Sequence, residues 1–219
     1  MNILIASPHP DDETLGAGGT LLRFKEEGNC LYWLNFTNMK MEYGFSENDI
    51  KTRLKEIEDV KKAYGFKELF NLELEPGGLD KYSKSELIAT ISGIFNKIKP
   101  SLIILPFRSD IHSDHTIVFD SCYSCTKSFR YPFIKKVVSM EIISETDFAN
   151  PQHGFIPNLF IDISKYINKK IEIMQLYKSE IGVHPFPRSD DSIWSLAQYR
   201  GATAGVKAAE AFLIIKEQY

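Results

Sequence analysis

The sequence predicts an α/β protein: a three-layer, Rossmann-like fold with a mostly parallel open sheet, helices on both faces and a C-terminal α/β extension. Three observations predict it. The runs "ILIAS" (residues 3–7) and "SLIILP" (101–106) are continuously apolar rather than alternating, as in strands covered on both faces. Such runs alternate with helical patterns through the first 130 residues, the order of a parallel sheet with crossover helices. Both runs also end in clusters of ionisable side chains, and strand ends are where open α/β sheets gather ligands.

The elements follow in order. After the first strand, "DETLGAGGTLLRFKEEG" reads as a helix ending at Gly28, with Asp11 or Asp12 near its start. "NCLYWLNFT" is a second strand. Residues 49–64 have helical periodicity with charges outside, and Gly65 suits a C-cap. "LFNLEL" is a short strand, "EPGGLD" a turn, and "KSELIATISGIFNKIKP" an amphipathic helix stopped by Pro100. "SLIILP" leads through "FRSDIHSDHT" into a helix containing "VFDSCYSCTKSF". In the C-terminal third, "KKVVSMEIIS" and "NLFIDIS" read as strands. "KYINKKIEIMQLYKSE" and the whole of "WSLAQYRGATAGVKAAEAFLIIK" read as helices, joined by the loop "GVHPFPRSDDS". No linker or shift of composition interrupts the chain, so residues 1–219 are expected to form one domain.

Composition narrows the function classes. With 43% hydrophobic and 25% charged residues the chain has ordinary globular usage. A net charge of -3 and the lack of any long basic tract argue against nucleic acid as a partner. No apolar run approaches the roughly 20 residues of a membrane span, and the opening "MNILIAS" lacks a basic leader region. Three cysteines, Cys30, Cys122 and Cys125, fit a reducing compartment, so the cytoplasm is expected. Cys122 and Cys125 have half-zinc-site spacing without a second pair to complete it. A homo-oligomer is compatible with the chain, since periodicity carries no signal about subunit contacts.

His9, Asp11, Asp12 and Glu13 crowd into five positions at the end of the first strand. Such crowding is costly unless a cation or partner offsets it. "HSDH" follows the "SLIILP" strand, so two distant segments can meet in one crevice. Zinc commonly takes two imidazoles and one carboxylate with a position left open, and His9, Asp12 and His115 supply that set. Asp11, left off the metal, can then act as a general base towards water, and His112 as a proton donor. The plainer reading makes each aspartate a helix cap and each histidine a loop residue. A magnesium site for phosphoryl transfer is a second rival, although imidazoles suit zinc better, and a non-catalytic binding or scaffold protein is a third. Gly16, Gly18 and Gly19 match no phosphate-loop pattern and are read instead as allowing close helix packing.

"PHPDDETLGAGGT" together with "DIHSDH" resembles the PIG-L/LmbE-like N-deacetylases, with weaker similarity along nearly the whole chain. The resemblance implies a zinc enzyme that removes acetyl from an N-acetylglucosamine-type conjugate. It places metal ligands on His9, Asp12 and His115, the base on Asp11 and the catalytic histidine on His112. Protonated His112 would steady the oxyanion, and Asp114 would orient an imidazole. Arg53 falls where the family approaches the sugar, while the residues alone read it equally as a solvated helix arginine. The loop "FTNMKMEYGF" departs from the family's usual pattern. Arg188 or His184 would meet an anionic aglycone, with a plain surface-loop role as the alternative.

Overall fold

The computed structural model describes residues 1–218. The first strand, β1 (Asn2–Ser7), buries side chains to both sides: Ile3 and Ile5 enter one core, Leu4 and Ala6 the other. It is followed by α1 (Asp12–Glu26), β2 (Cys30–Thr37), α2 (Glu47–Tyr64), β3 (Glu68–Leu74), α3 (Lys84–Ile98), β4 (Leu102–Leu105) and α4 (Ser113–Ser124). Next come β5 (Lys136–Met140), β6 (Leu159–Asp162), α5 (Ile167–Met174), α6 (Asp190–Ala204) and β7 (Ala209–Glu217).

All seven strands join one sheet in the order β3-β2-β1-β4-β5-β7-β6. The first five are mutually parallel; β7 runs antiparallel to both β5 and β6. Side chains of α3 and α4, among them Leu87, Ile91, Phe95, Val118 and Phe119, pack with Leu4, Leu34 and Phe36 on one face. On the other face, residues of α1, α2, α5 and α6 pack with Ile3, Ile5 and Trp33. This is the three-layer, mostly parallel architecture expected from the sequence.

The C-terminal helix expected over residues 194–216 is two elements. Gly205 closes α6 in the left-handed conformation at φ 73°, and "AEAFLIIKE" crosses the sheet as β7. The Ala-Glu-Ala start of that segment favours helix locally, but the slot between β5 and β6 buries Ala209, Ala211 and Phe212 as a strand. The helix expected over residues 165–180 is likewise shorter, ending at Met174.

Glycines in α1 bring it against the sheet. A Cβ on Gly19 would stand 2.7 Å from Ile163 Cβ, and one on Gly16 2.6 Å from Met140 Sδ. Because β1 has β2 on one side and β4 on the other, the chain reverses its winding direction between β1 and β4. The loops leaving their C-terminal ends therefore part to form a crevice.

Candidate metal centre and active site

Both polar clusters lie in that crevice. His9 Nδ1 is 3.5 Å and His115 Nε2 3.4 Å from Asp12 Oδ2, and the three donor atoms all lie within 4.8 Å of one another. The opposite nitrogens are already engaged: His9 Nε2 is 3.0 Å from Asp114 Oδ2, and His115 Nδ1 is 2.8 Å from Asp110 Oδ2. Carboxylates in those positions hold the outer nitrogens as donors, which leaves the inward ones as lone-pair ligands. His115 Nε2 is buried and has no hydrogen-bond partner. An orphaned buried imidazole nitrogen aimed at a carboxylate and a second imidazole fits a divalent ion. His9, His112 and Asp114 also cluster. Asp114, however, already accepts from the backbone N–H groups of Gly77 (2.8 Å) and Leu79 (3.2 Å), so the His115 set fits better.

The electrostatics agree. Burial disfavours charge on His9, yet hydrogen bonds to Asp114 and Asp12 and the field of Asp12 and Asp11 raise its pKa to about 10. Burial likewise opposes ionisation of Asp12, but His115 and His9 outweigh it and hold the carboxyl at about 2. A site that stabilises a proton this strongly is one where positive charge is favoured.

Asp11 is buried beside this set. Its φ of 139° is far outside the range that residues with a Cβ usually adopt. Its N–H donates to Glu13 Oε2 at 3.1 Å, and its carbonyl accepts from the N–H of Thr14 and of Leu15, both at 2.9 Å. Its side chain makes no cap to α1 and instead accepts from Arg188 Nη1 at 2.8 Å. The helix-cap reading of the two aspartates therefore does not describe them. Burial, then repulsion from Asp12, pushes the Asp11 carboxyl well above the usual carboxylate range, with Arg188 partly offsetting the rise. Glu13 is buried too, accepting from Tyr177 O–H at 2.9 Å and Thr14 O–H at 2.7 Å.

Arg53 is not solvated. It is buried, donates through Nη1 to Pro10 O at 3.0 Å, pairs with Glu56 at 3.1 Å, and hydrogen-bonds Ser179 and Glu180. Arg188 also pairs with Glu180, at 3.1 Å, so two arginines and one glutamate brace the loop that carries Asp11. His184 is exposed and lies outside this cavity. The cavity measures 380 Å³, and its walls include His9, Asp11, Asp12, Arg53, His112 and Arg188. The 38–48 loop contributes Asn38, Met39 and Phe45.

His112 caps α4: its Nδ1 accepts from Asp114 N–H at 3.2 Å, which leaves Nε2 to carry the proton of the neutral ring. Burial, with the nearby His9, lowers its pKa. The sequence suggested a protonated ring; the structure favours a neutral one that donates through Nε2. Sequence reasoning did not single out Asp110 or Glu180. Asp110 stands within "SDIHSDH", five residues before His115, where a second carboxylate for the second imidazole was there to be sought. Glu180 carries no such signal.

A diacetylchitobiose deacetylase of Thermococcus kodakarensis is 22% identical over 97% of this chain and 82% of its own length. A probable N-acetyl-alpha-D-glucosaminyl L-malate deacetylase of Bacillus anthracis is 24% identical over 82% of this chain and 81% of its own. The solved 4-carboxy-2-hydroxymuconate hydratase of Pseudomonas putida shares the fold at a TM-score of 0.79 and 13% identity, covering 100% of this chain and 97% of its own. That likeness concerns the fold alone, so activity has to be argued from the site. The family model for PIG-L, GlcNAc-PI de-N-acetylase, matches residues 4–125, more than half of the chain, and the chain therefore belongs to that family.

Proposed function

We propose that this protein is a zinc-dependent amide hydrolase that removes the N-acetyl group from an N-acetylglucosamine-type sugar conjugate, with residues 1–219 as one catalytic unit in the reducing cytoplasm. The observation that carries the reading is the convergence of His9 Nδ1, Asp12 Oδ2 and His115 Nε2 beside a buried carboxylate, Asp11, that the metal set does not need. Two imidazoles with one carboxylate suit zinc better than magnesium, which disfavours the phosphoryl-transfer rival. A strained, arginine-braced carboxylate beside the metal set is difficult to account for in a protein that only binds carbohydrate. The similarity to a diacetylchitobiose deacetylase and to a probable N-acetyl-alpha-D-glucosaminyl L-malate deacetylase supports this substrate class.

When bound, the ion would polarise the acetamide carbonyl and acidify water. Asp11 accepts the proton of the attacking water as its oxygen bonds to the acetyl carbon. His112, neutral, donates from Nε2 towards the oxygen that gains charge. The C–N bond then breaks as the carbonyl re-forms, Asp11 returns its proton to the departing nitrogen, and acetic acid and the amine result, the acid's proton passing to the amine or to solvent as acetate leaves. Arg188 holds Asp11 in place, and Arg53 fixes the Pro10 carbonyl just before it while forming part of the substrate wall. Asp114 and Asp110 keep the two imidazoles turned inward.

The test is acetate and amine release from N-acetylglucosamine derivatives by zinc-loaded protein, with chelated protein and Asp11→Ala as comparisons. Turnover that survives both treatments would exclude the mechanism.

A further inference from the structure

The turn from Ile142 to Thr146 follows β5 and reaches the same cavity through Ser144 and Glu145. It is tightly fixed. Glu145 N–H and Thr146 N–H both donate to Ile142 O, at 3.1 and 2.8 Å. Thr146 Oγ1 accepts from Ile142 N–H at 2.9 Å and donates to Asp110 Oδ1 at 2.7 Å. Through Asp110 and His115 the turn is locked to the metal set.

Two polar groups of this fixed turn are left without a partner. Ser144 holds φ 76°, a left-handed conformation that residues with a Cβ seldom adopt, and its buried hydroxyl has no hydrogen-bond partner. Among the described residues, no cation or hydrogen-bond donor pairs with the Glu145 carboxylate, and Glu145 belongs to neither cluster able to hold an ion. Meanwhile both arginines of the cavity already pair with carboxylates, Arg53 with Glu56 and Glu180, Arg188 through Nη1 with Asp11 and Glu180, and the Nε of Arg188, which has no hydrogen-bond partner, is buried. A carboxylated group entering here would meet Glu145 and only arginines that already pair with carboxylates.

Resting on the deacetylase reading, we propose that Ser144 and Glu145 select a neutral, hydroxyl-bearing group attached to the acetylated sugar and reject a carboxylated one. Sugar hydroxyls can donate to Glu145 and exchange hydrogen bonds with Ser144 Oγ. A carboxylate has no proton to give Glu145, and it could accept from the Ser144 hydroxyl only beside the like charge of Glu145 in a part-buried site.

The experiment compares kcat/KM for a neutral N-acetylglucosamine disaccharide and for an N-acetylglucosamine conjugate with a dicarboxylate aglycone, using zinc-loaded wild type, Glu145→Gln and Glu145→Lys, with metal content measured in each. The wild type is expected to favour the neutral substrate by about tenfold or more, the scale of one unfavourable charge contact. Glu145→Gln should narrow that ratio several-fold, and Glu145→Lys should narrow it further or reverse it, both with zinc retained. A wild type that prefers the dicarboxylate conjugate overturns the inference while leaving the deacetylase reading intact. So does a ratio unmoved in zinc-bound Glu145→Lys, and where that variant does not fold, the wild-type ratio alone decides. Failure of the wild type to deacetylate either compound removes the deacetylase reading and this inference with it.

Discussion

Arg188 Nη1 lies 2.8 Å from Asp11 Oδ2, tying the loop before α6 to the first turn after β1. That bond aims a carboxylate whose backbone is already held in a rare conformation. Arg188→Ala should lower kcat by about ten- to a hundredfold, the range for misplacing a reacting group, with a smaller change in KM and unchanged zinc content. Arg188→Lys should recover part of the loss. Steady-state kinetics with metal analysis checks this, and a pure KM effect would move Arg188 to substrate binding.

The metal set and the base should separate on substitution. Asp12→Ala and His115→Ala should lose zinc, whereas Asp11→Ala should retain it and lose turnover. Asp110→Asn, which disturbs the partner of His115 Nδ1, should weaken zinc binding by about ten- to a hundredfold. Chelator competition measures all four.

Glu13 accepts three hydrogen bonds in a fully buried position, from Asp11 N–H, Thr14 O–H and Tyr177 O–H. Glu13→Ala would leave these donors unsatisfied and should destabilise the protein by about 2 kcal/mol or more. Glu13→Gln, which can refill much of the network, should cost clearly less. Urea denaturation of both variants provides the comparison.

Gly19→Ala should be destabilising even though alanine is the better helix former, because its Cβ would stand 2.7 Å from the branched Cβ of Ile163. A loss of about 1–3 kcal/mol is expected from overpacking. Gly16→Ala should cost less, since Met140 is a flexible side chain that can yield. Thermal unfolding of the two variants ranks them.

Of the cysteines, Cys122 and Cys125 are buried and Cys30 is partly exposed. Burial pushes both buried thiols above their usual pKa. In native protein a thiol reagent should label Cys30 first, and the other two only after unfolding.

Much of this was legible in the sequence, for identifiable reasons. Two strands buried on both faces had to be continuously apolar, and a crevice at their ends had to concentrate polar groups, so His9, Asp11, Asp12, His112 and His115 stood out. The close approach of α1 was readable in Gly16, Gly18 and Gly19. Ala209 to Glu217 was misread because its local preference is helical, and only the gap between β5 and β6 makes it a strand. Glu180 and its ion pair with Arg53 could not be read, because residues more than a hundred positions apart meet there only through the fold. Ser144 showed nothing in sequence, since its rare φ is imposed by the turn around it.

The central claim is that His9, Asp12 and His115 hold a divalent ion beside Asp11 for amide hydrolysis. The most direct measurement is a zinc titration of metal-free protein, following acetate release from an N-acetylglucosamine disaccharide alongside bound metal. Activity should rise with zinc and saturate at one ion per chain in the wild type, whereas Asp11→Ala should bind the same ion and stay inactive. Full turnover in metal-free protein, or wild-type turnover in Asp11→Ala, would contradict it.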